Sequence, residues 1–158
     1  MQYLLTIKNF RSIKSTSITL NSGLNILIGP NGSGKTNALA ALKFLSDVLV
    51  HGTALAMGKA GGSPRNFYRG TKEFEFRVEG EYGECNYKRK KKKFYFSWVL
   101  AISRGANDQI AYIAKEIFIV KSSEGAHYVY SQITSLITVS SAITSGRYTR
   151  SATNGFLL

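Results

Sequence analysis

Gly29, Pro30, Asn31, Gly32, Ser33, Gly34, Lys35 and Thr36 run as a glycine, four residues, then Gly-Lys-Thr, an arrangement suited to wrapping a phosphate. Each position has a chemical reason. Gly32 and Gly34 let backbone N–H groups turn inward with no side chain in the way. Lys35 would reach β- and γ-phosphate oxygens, and the Thr36 hydroxyl would take a place on a Mg²⁺ ion bridging them. Asn37, in the first turn of a following helix, can donate to an α-phosphate oxygen. The alternative is a glycine-rich strand-to-helix turn that holds no ligand.

Other chemistry is sparsely provided. The only aspartates are Asp47 and Asp108; the glutamates are Glu73, Glu75, Glu79, Glu81, Glu84, Glu116 and Glu124. His51 and His127 are isolated and Cys85 is the single cysteine, so no metal-ligand set forms. No Ser-His-Asp arrangement can be argued, and Ser33 belongs to the phosphate loop.

The elements flanking the loop suit its positioning. Residues 24–28, Leu-Asn-Ile-Leu-Ile, are an apolar run of strand length that leads into it. After it, Ala38, Leu42, Leu45 and Leu49 recur at helical spacing, with Lys43 and Asp47 on the other side. Glycine at 52 predicts the stop. Before it, residues 3–7 and 17–20 read as strands, with residues 8–15 turning between them. Residues 58–65, with three glycines and Pro64, read as a loop.

From Phe74 the period changes to two: Phe74, Phe76 and Val78 alternate with Glu75, Arg77 and Glu79. That is a half-buried antiparallel strand. Phe94, Phe96, Trp98 and Leu100 repeat the pattern, and residues 110–120 and 127–130 add two strand-like stretches.

The chain has 158 residues with a formal net charge of +12 and 44% hydrophobic residues. Nine Tyr, nine Phe and one Trp carry too much apolar surface for a disordered chain. One cysteine excludes an intramolecular disulfide scaffold. No apolar run approaches the roughly 20 residues of a membrane span, and the first residues lack a secretory layout. A cytoplasmic protein without membrane attachment is expected.

Half the net charge lies in Lys88, Arg89, Lys90, Lys91, Lys92 and Lys93, set between aromatic residues. Such a run is either a hairpin tip that grips nucleic-acid phosphates or a solvated loop discouraging edge pairing. Residues 131–154 contain eleven Ser or Thr and no acid, which predicts a boundary at 130. Residues 1–130 would be one lobe; 131–158 would be a polar tail or the start of a further segment.

The order Ile7-Lys8-Asn9-Phe10-Arg11-Ser12, a strand to Leu20, then residues 23–37 through the phosphate loop, resembles the N-terminal lobe of ABC-type ATPases. Within these it is most similar to the branch of structural-maintenance-of-chromosomes, RecF-like and OLD-like proteins, the AAA_15/AAA_21 group. The resemblance covers residues 1–130 and is architectural after Phe74. It implies an α/β fold: a P-loop lobe whose mixed, largely antiparallel sheet packs on the helix that follows the loop. It also implies ATP and Mg²⁺ held by residues 29–37, and Arg11 near the nucleotide. Gln132 would be the glutamine that senses Mg²⁺ and the γ-phosphate. On residue type alone, Arg11 is equally a solvated turn residue, and an ordinary exposed glutamine is the favoured reading of Gln132.

Hydrolysis in this class uses an apolar strand ending in Asp-Glu, and neither Asp47 nor Asp108 follows such a strand. A Leu-Ser-Gly-Gly-like signature is also lacking, and so is Asn-Lys-x-Asp, the usual guanine reader. The expectation is an ATP-binding N-terminal part of an ATPase of DNA repair, DNA maintenance or phage defence, incomplete for hydrolysis alone. Its implied partners are a C-terminal ATPase lobe, a second copy in a dimer, and DNA. The alternative is a non-catalytic nucleic-acid-binding module that uses the basic run.

Overall fold

The computed structural model describes residues 1–87, 90–105, 111–123, 127–133, 136–143 and 146–150. A hairpin of β1 (Gln2–Phe10) and β2 (Ile13–Asn21) is followed by α1 (Lys35–His51), α2 (Thr53–Lys59) and a single turn, α3 (Ser63–Asn66). Then come β3 (Glu73–Tyr87), β4 (Lys90–Arg104), β5 (Ala111–Ser122), β6 (His127–Ile133), β7 (Leu136–Ile143) and β8 (Gly146–Arg150). All eight strands form one sheet in the order β2-β1-β3-β4-β5-β6-β7-β8. Every pairing among the described residues is antiparallel.

Alternation decides which sheet face is buried. Leu5 and Ile7 of β1 stand opposite Val78 and Phe76 of β3, and Phe76 stands opposite Leu100 of β4. Side chains two apart share a face, so this row turns toward the helices with Phe74 and Ile102. Helix α1 meets it with Ala38, Ala41, Phe44, Leu45 and Val48. Four rings interlock at the centre. Phe10 lies 5.7, 5.4 and 5.2 Å from Phe44, Phe74 and Phe76, centroid to centroid. All four are at most 1% exposed. Removing one such ring typically costs about 3–5 kcal/mol, so this cluster anchors α1, and with it the loop at the helix N-terminus.

Helix α1 spans the expected length because residues 35–51 contain no Gly or Pro, and Gly52 with φ 79° ends it by donating to the Val48 carbonyl. Its buried stripe is rotated from the expected one. Val48 is buried and Leu49, one residue and about 100° further round, is 70% exposed. The polar side is as expected, with Lys43 and Asp47 3.3 Å apart.

Three local expectations are corrected. Residues 8–15 are not a turn: both strands extend inward and only Arg11 and Ser12 remain between them. Lys8 pairs across to Ser15 and holds Glu75 at 3.3 Å, while left-handed φ angles at Asn9 and Arg11 tighten the reversal. Residues 58–65 include the end of α2 and all but the last residue of α3, where Pro64 suits a first helical turn.

Residues 24–28, expected as a strand, join no sheet. The Asn25 side chain binds the N–H and C=O of Asn21 at 2.8 Å each, as well as the Gly23 carbonyl. That turns the chain off the end of β2 toward the helix layer, where no other strand is described. Leu24, Ile26 and Ile28 are 86, 70 and 92% exposed.

The boundary expected at 130 falls inside β6, and the Ser/Thr-rich stretch supplies β7 and β8 in the same sheet. No helix among the described residues is long and apolar enough to cross a membrane.

Candidate phosphate-binding site

The loop of residues 29–36 runs from segment 24–28 into the first turn of α1. Gly32 and Gly34 take φ of 82° and 91°, a left-handed region costly for residues with a side chain. A Cβ at Gly32 would meet nothing within 4 Å, and one at Gly34 would meet only Ile13 Cγ1 at 3.9 Å. Glycine is therefore required here by backbone angle and not by crowding.

Gly34 caps α1 with no side-chain hydrogen bond, and the first turn has no acidic residue. The helix's first N–H groups lack intrahelical acceptors and carry the positive end of its dipole, an arrangement that favours an anion. Lys35 folds back into the loop, its Nζ donating to the carbonyls of Gly29 and Pro30 at 2.6 Å each, with Ser33 Oγ at 3.5 Å. The Thr36 side chain is exposed, and among the described residues its hydroxyl has no partner.

Two recesses flank the loop. One, of about 320 Å³, is bordered by Ser12, Asn31, Gly32, Gly34, Lys35, Thr36 and Asn37. The other, of about 610 Å³, lies between the loop and β2, from Ser12 to Thr16. No carboxylate borders either one, and Lys14 adds a second cation to the larger. Uncapped N–H groups, two cations and an open hydroxyl fit a phosphate chain with Mg²⁺ at Thr36. Beside Thr36 the smaller recess offers only neutral side-chain oxygens, those of Ser12, Asn31 and Asn37.

Asn37 is brought to this site, with its Nδ2 2.6 Å from Ser12 Oγ. Arg11 is not. Its Nε donates to Asn66 Oδ1 and its Nη2 to the Ala60 carbonyl, both at 3.1 Å, and it borders neither recess. Ser12 and Asn66 escape a reading from sequence because they lie 25 and 55 residues from the partners that give them meaning. No spacing rule links them.

Gln132 pairs through its backbone with Glu116 in β6; its side chain, like those of Lys90, Lys91 and Lys92, lies outside the described residues. So do Lys88 and Arg89. Tyr87 and Lys90 are paired across the β3–β4 hairpin, and Lys93 is exposed and holds Glu81 at 3.4 Å.

Asp47, Glu73, Glu75, Glu79, Glu81 and Glu116 are engaged away from the loop. Asp47 lies between Lys43 and Lys59, at 3.3 and 3.5 Å. Glu116 accepts from Trp98 Nε1 at 3.0 Å. Among the described residues, no three His, Cys, Asp or Glu converge on a metal position. Asp108 and Glu124 lie outside the described residues.

The model of the AAA ATPase domain family matches residues 3–136. The DNA replication and repair protein RecF of Yersinia enterocolitica is 49% identical over 57 residues, 36% of this chain and 15% of that protein. Its counterpart in Vibrio campbellii is 56% identical over 41 residues, 26% of this chain and 12% of that protein. The matched segment thus spans under a sixth of these relatives.

Proposed function

This chain belongs to the AAA ATPase domain family, and from that premise we propose that it binds Mg-ATP in the loop of residues 29–36 as part of a RecF-like DNA-maintenance ATPase. The family implies nucleotide binding; the choice of ATP, of Mg²⁺ and of a DNA-repair or phage-defence setting in the cytoplasm is our reading. One observation carries it most: Lys35 lies inside a loop whose glycines hold left-handed angles at an uncapped helix N-terminus.

In this reading the loop N–H groups bind and orient the phosphates. Lys35 exchanges its two carbonyl partners for phosphate oxygens, and Asn37 donates to the α-phosphate. Thr36 would hold Mg²⁺, whose charge offsets that of the phosphate oxygens. Nothing described places a carboxylate where water would be activated, so turnover by this chain alone is proposed to be negligible. Equilibrium titration with Mg-ATP is the test: the chain binds and Lys35→Ala does not. Absence of binding by both overturns the reading for this chain.

The proposed partner is the remaining ATPase lobe, and through it a dimer. Leu24, Ile26, Ile28 and Leu39 are each more than half exposed, and the matched segment spans 15% of the Yersinia relative. An extended segment without a ladder and with three apolar side chains in water suits an added strand from that lobe.

A second reading is polyanion binding by the β3–β4 hairpin, with nucleic acid as the ligand. It is supported by the position of Lys90, Lys91, Lys92 and Lys93 at the hairpin's far end. Lys35→Ala should spare that activity, and neutralising these four lysines should remove it and its salt dependence.

A further inference from the structure

We propose that Arg11 and Asn66 are positioning residues for the nucleotide site, acting through the contact between Ser12 and Asn37. The inference rests on the Mg-ATP reading above and adds determinants that touch no nucleotide.

The β1–β2 turn is held from behind. Asn9 and Arg11 have φ of 57° and 52°; asparagine tolerates such an angle, but arginine keeps it only where its surroundings enforce it. Here the α3 region does so. Tyr68 N donates to the Asn9 carbonyl at 2.8 Å, and Arg11 N donates to the Asn66 carbonyl at 3.0 Å. The Arg11 guanidinium then bridges Asn66 Oδ1 and the Ala60 carbonyl.

Asn66 is 0% exposed, and its amide nitrogen donates to the Gly62 carbonyl at 2.7 Å. Both ends of this side chain are therefore committed, and the arginine it receives has one orientation. Directing Arg11 inward leaves the next residue, Ser12, facing the loop. Ser12 borders both recesses. Its Oγ accepts from Asn37 Nδ2 at 2.6 Å, which holds that amide at the wall of the smaller recess. A site is only as well organised as the residues behind its contacts.

The test titrates Mg-ATP and Mg-ADP into the full chain while the Asn37 side-chain amide is followed by NMR without nucleotide. Ser12→Ala should weaken both nucleotides alike, by about three- to tenfold, the size of one hydrogen bond. Ser12→Thr, which keeps the hydroxyl, should restore binding. Combining Ser12→Ala with Asn37→Ala should cost no more than Asn37→Ala alone. Arg11→Lys cannot span both acceptors, so it should shift the Asn37 amide signals and weaken binding although it lines neither recess.

The proposal is overturned if Ser12→Ala and Arg11→Lys leave affinity and the Asn37 signals unchanged in a chain whose binding Lys35→Ala abolishes. Loss of affinity equal to the loss of thermal stability, with Ser12→Thr giving no rescue, also overturns it. If wild type binds no nucleotide the Mg-ATP reading fails first, and the Asn37 signals still show separately whether Arg11 and Ser12 position the amide.

Discussion

The ammonium of Lys35 lies 2.6 Å from the carbonyl oxygen of Gly29, six residues earlier, and equally close to that of Pro30. The loop is closed by its own lysine. Two carbonyl dipoles hold the charge where phosphate oxygens would come, so little reorganisation is required before the anion is met.

Lys35→Arg should therefore not substitute for lysine despite keeping the charge. A planar guanidinium is larger than an ammonium and presents its donors in a fixed fork. It does not fit between two carbonyls of one tight loop. The expected result is loss of Mg-ATP affinity by about tenfold or more, the equivalent of about 1.4 kcal/mol, with the melting temperature little changed. Retained affinity would show that charge alone suffices.

Gly80→Ala should destabilise the sheet. A Cβ there would lie 2.5 Å from Tyr3 Cδ1, 3.2 Å from the Gln2 carbonyl and 3.2 Å from Phe96 Cε1. The Tyr3 ring packs over this glycine and 6.1 Å from the ring of Phe96. Overpacking of this kind costs about 1–3 kcal/mol, to be measured as a lower midpoint in urea. Smaller loss in Gly80→Ala combined with Tyr3→Ala would locate the clash at the Tyr3 ring.

Asp47 makes one acid-sensitive contribution. Burial pushes its carboxyl up, but the Lys43 hydrogen bond and the charges of Lys43 and Lys59 outweigh this and hold it below the usual 3.8. A carboxyl depressed in the folded state stabilises above its unfolded value and loses that contribution as pH falls through the folded one. Asp47→Asn should flatten the fall in stability below about pH 4, near the unstrained aspartate value. Denaturant midpoints measured from pH 6 down to pH 2 would show it, and parallel curves for both proteins would refute it.

The exposed segment 24–28 should make the isolated chain associate. Replacing Ile26 and Ile28, at 70 and 92% exposure, with Ser should shift sedimentation toward monomer without lowering the melting temperature, because neither side chain is packed. A wild-type chain that sediments as a sharp monomer at high concentration contradicts this.

Much of the site can be read from the order of residues because it is local. Gly32, Gly34, Lys35, Thr36 and Asn37 lie within six positions, and the roles proposed for them follow from backbone angle, helix dipole and reach. The boundaries of α1 and the alternation of Phe74, Phe76 and Val78 are legible for the same reason, since helix and strand periods are properties of neighbours. Leu49 shows the limit of this. Spacing places it near the apolar stripe, but only the position of the sheet decides that the stripe ends at Val48.

What the amino-acid order by itself determined is the glycine-rich loop of residues 29–36 with its lysine, the helix that follows it, the strands that back that helix and the absence of a paired-acid motif. Each depends on residues close together in the chain. Tertiary structure alone decided that Arg11 turns to Asn66 and Ala60, that Ser12 meets Asn37, and that residues 24–28 leave the sheet. These depend on which of several acceptors the folded backbone brings within reach. A guanidinium and a half-buried carbonyl 49 residues apart become neighbours only once the sheet and helices have packed.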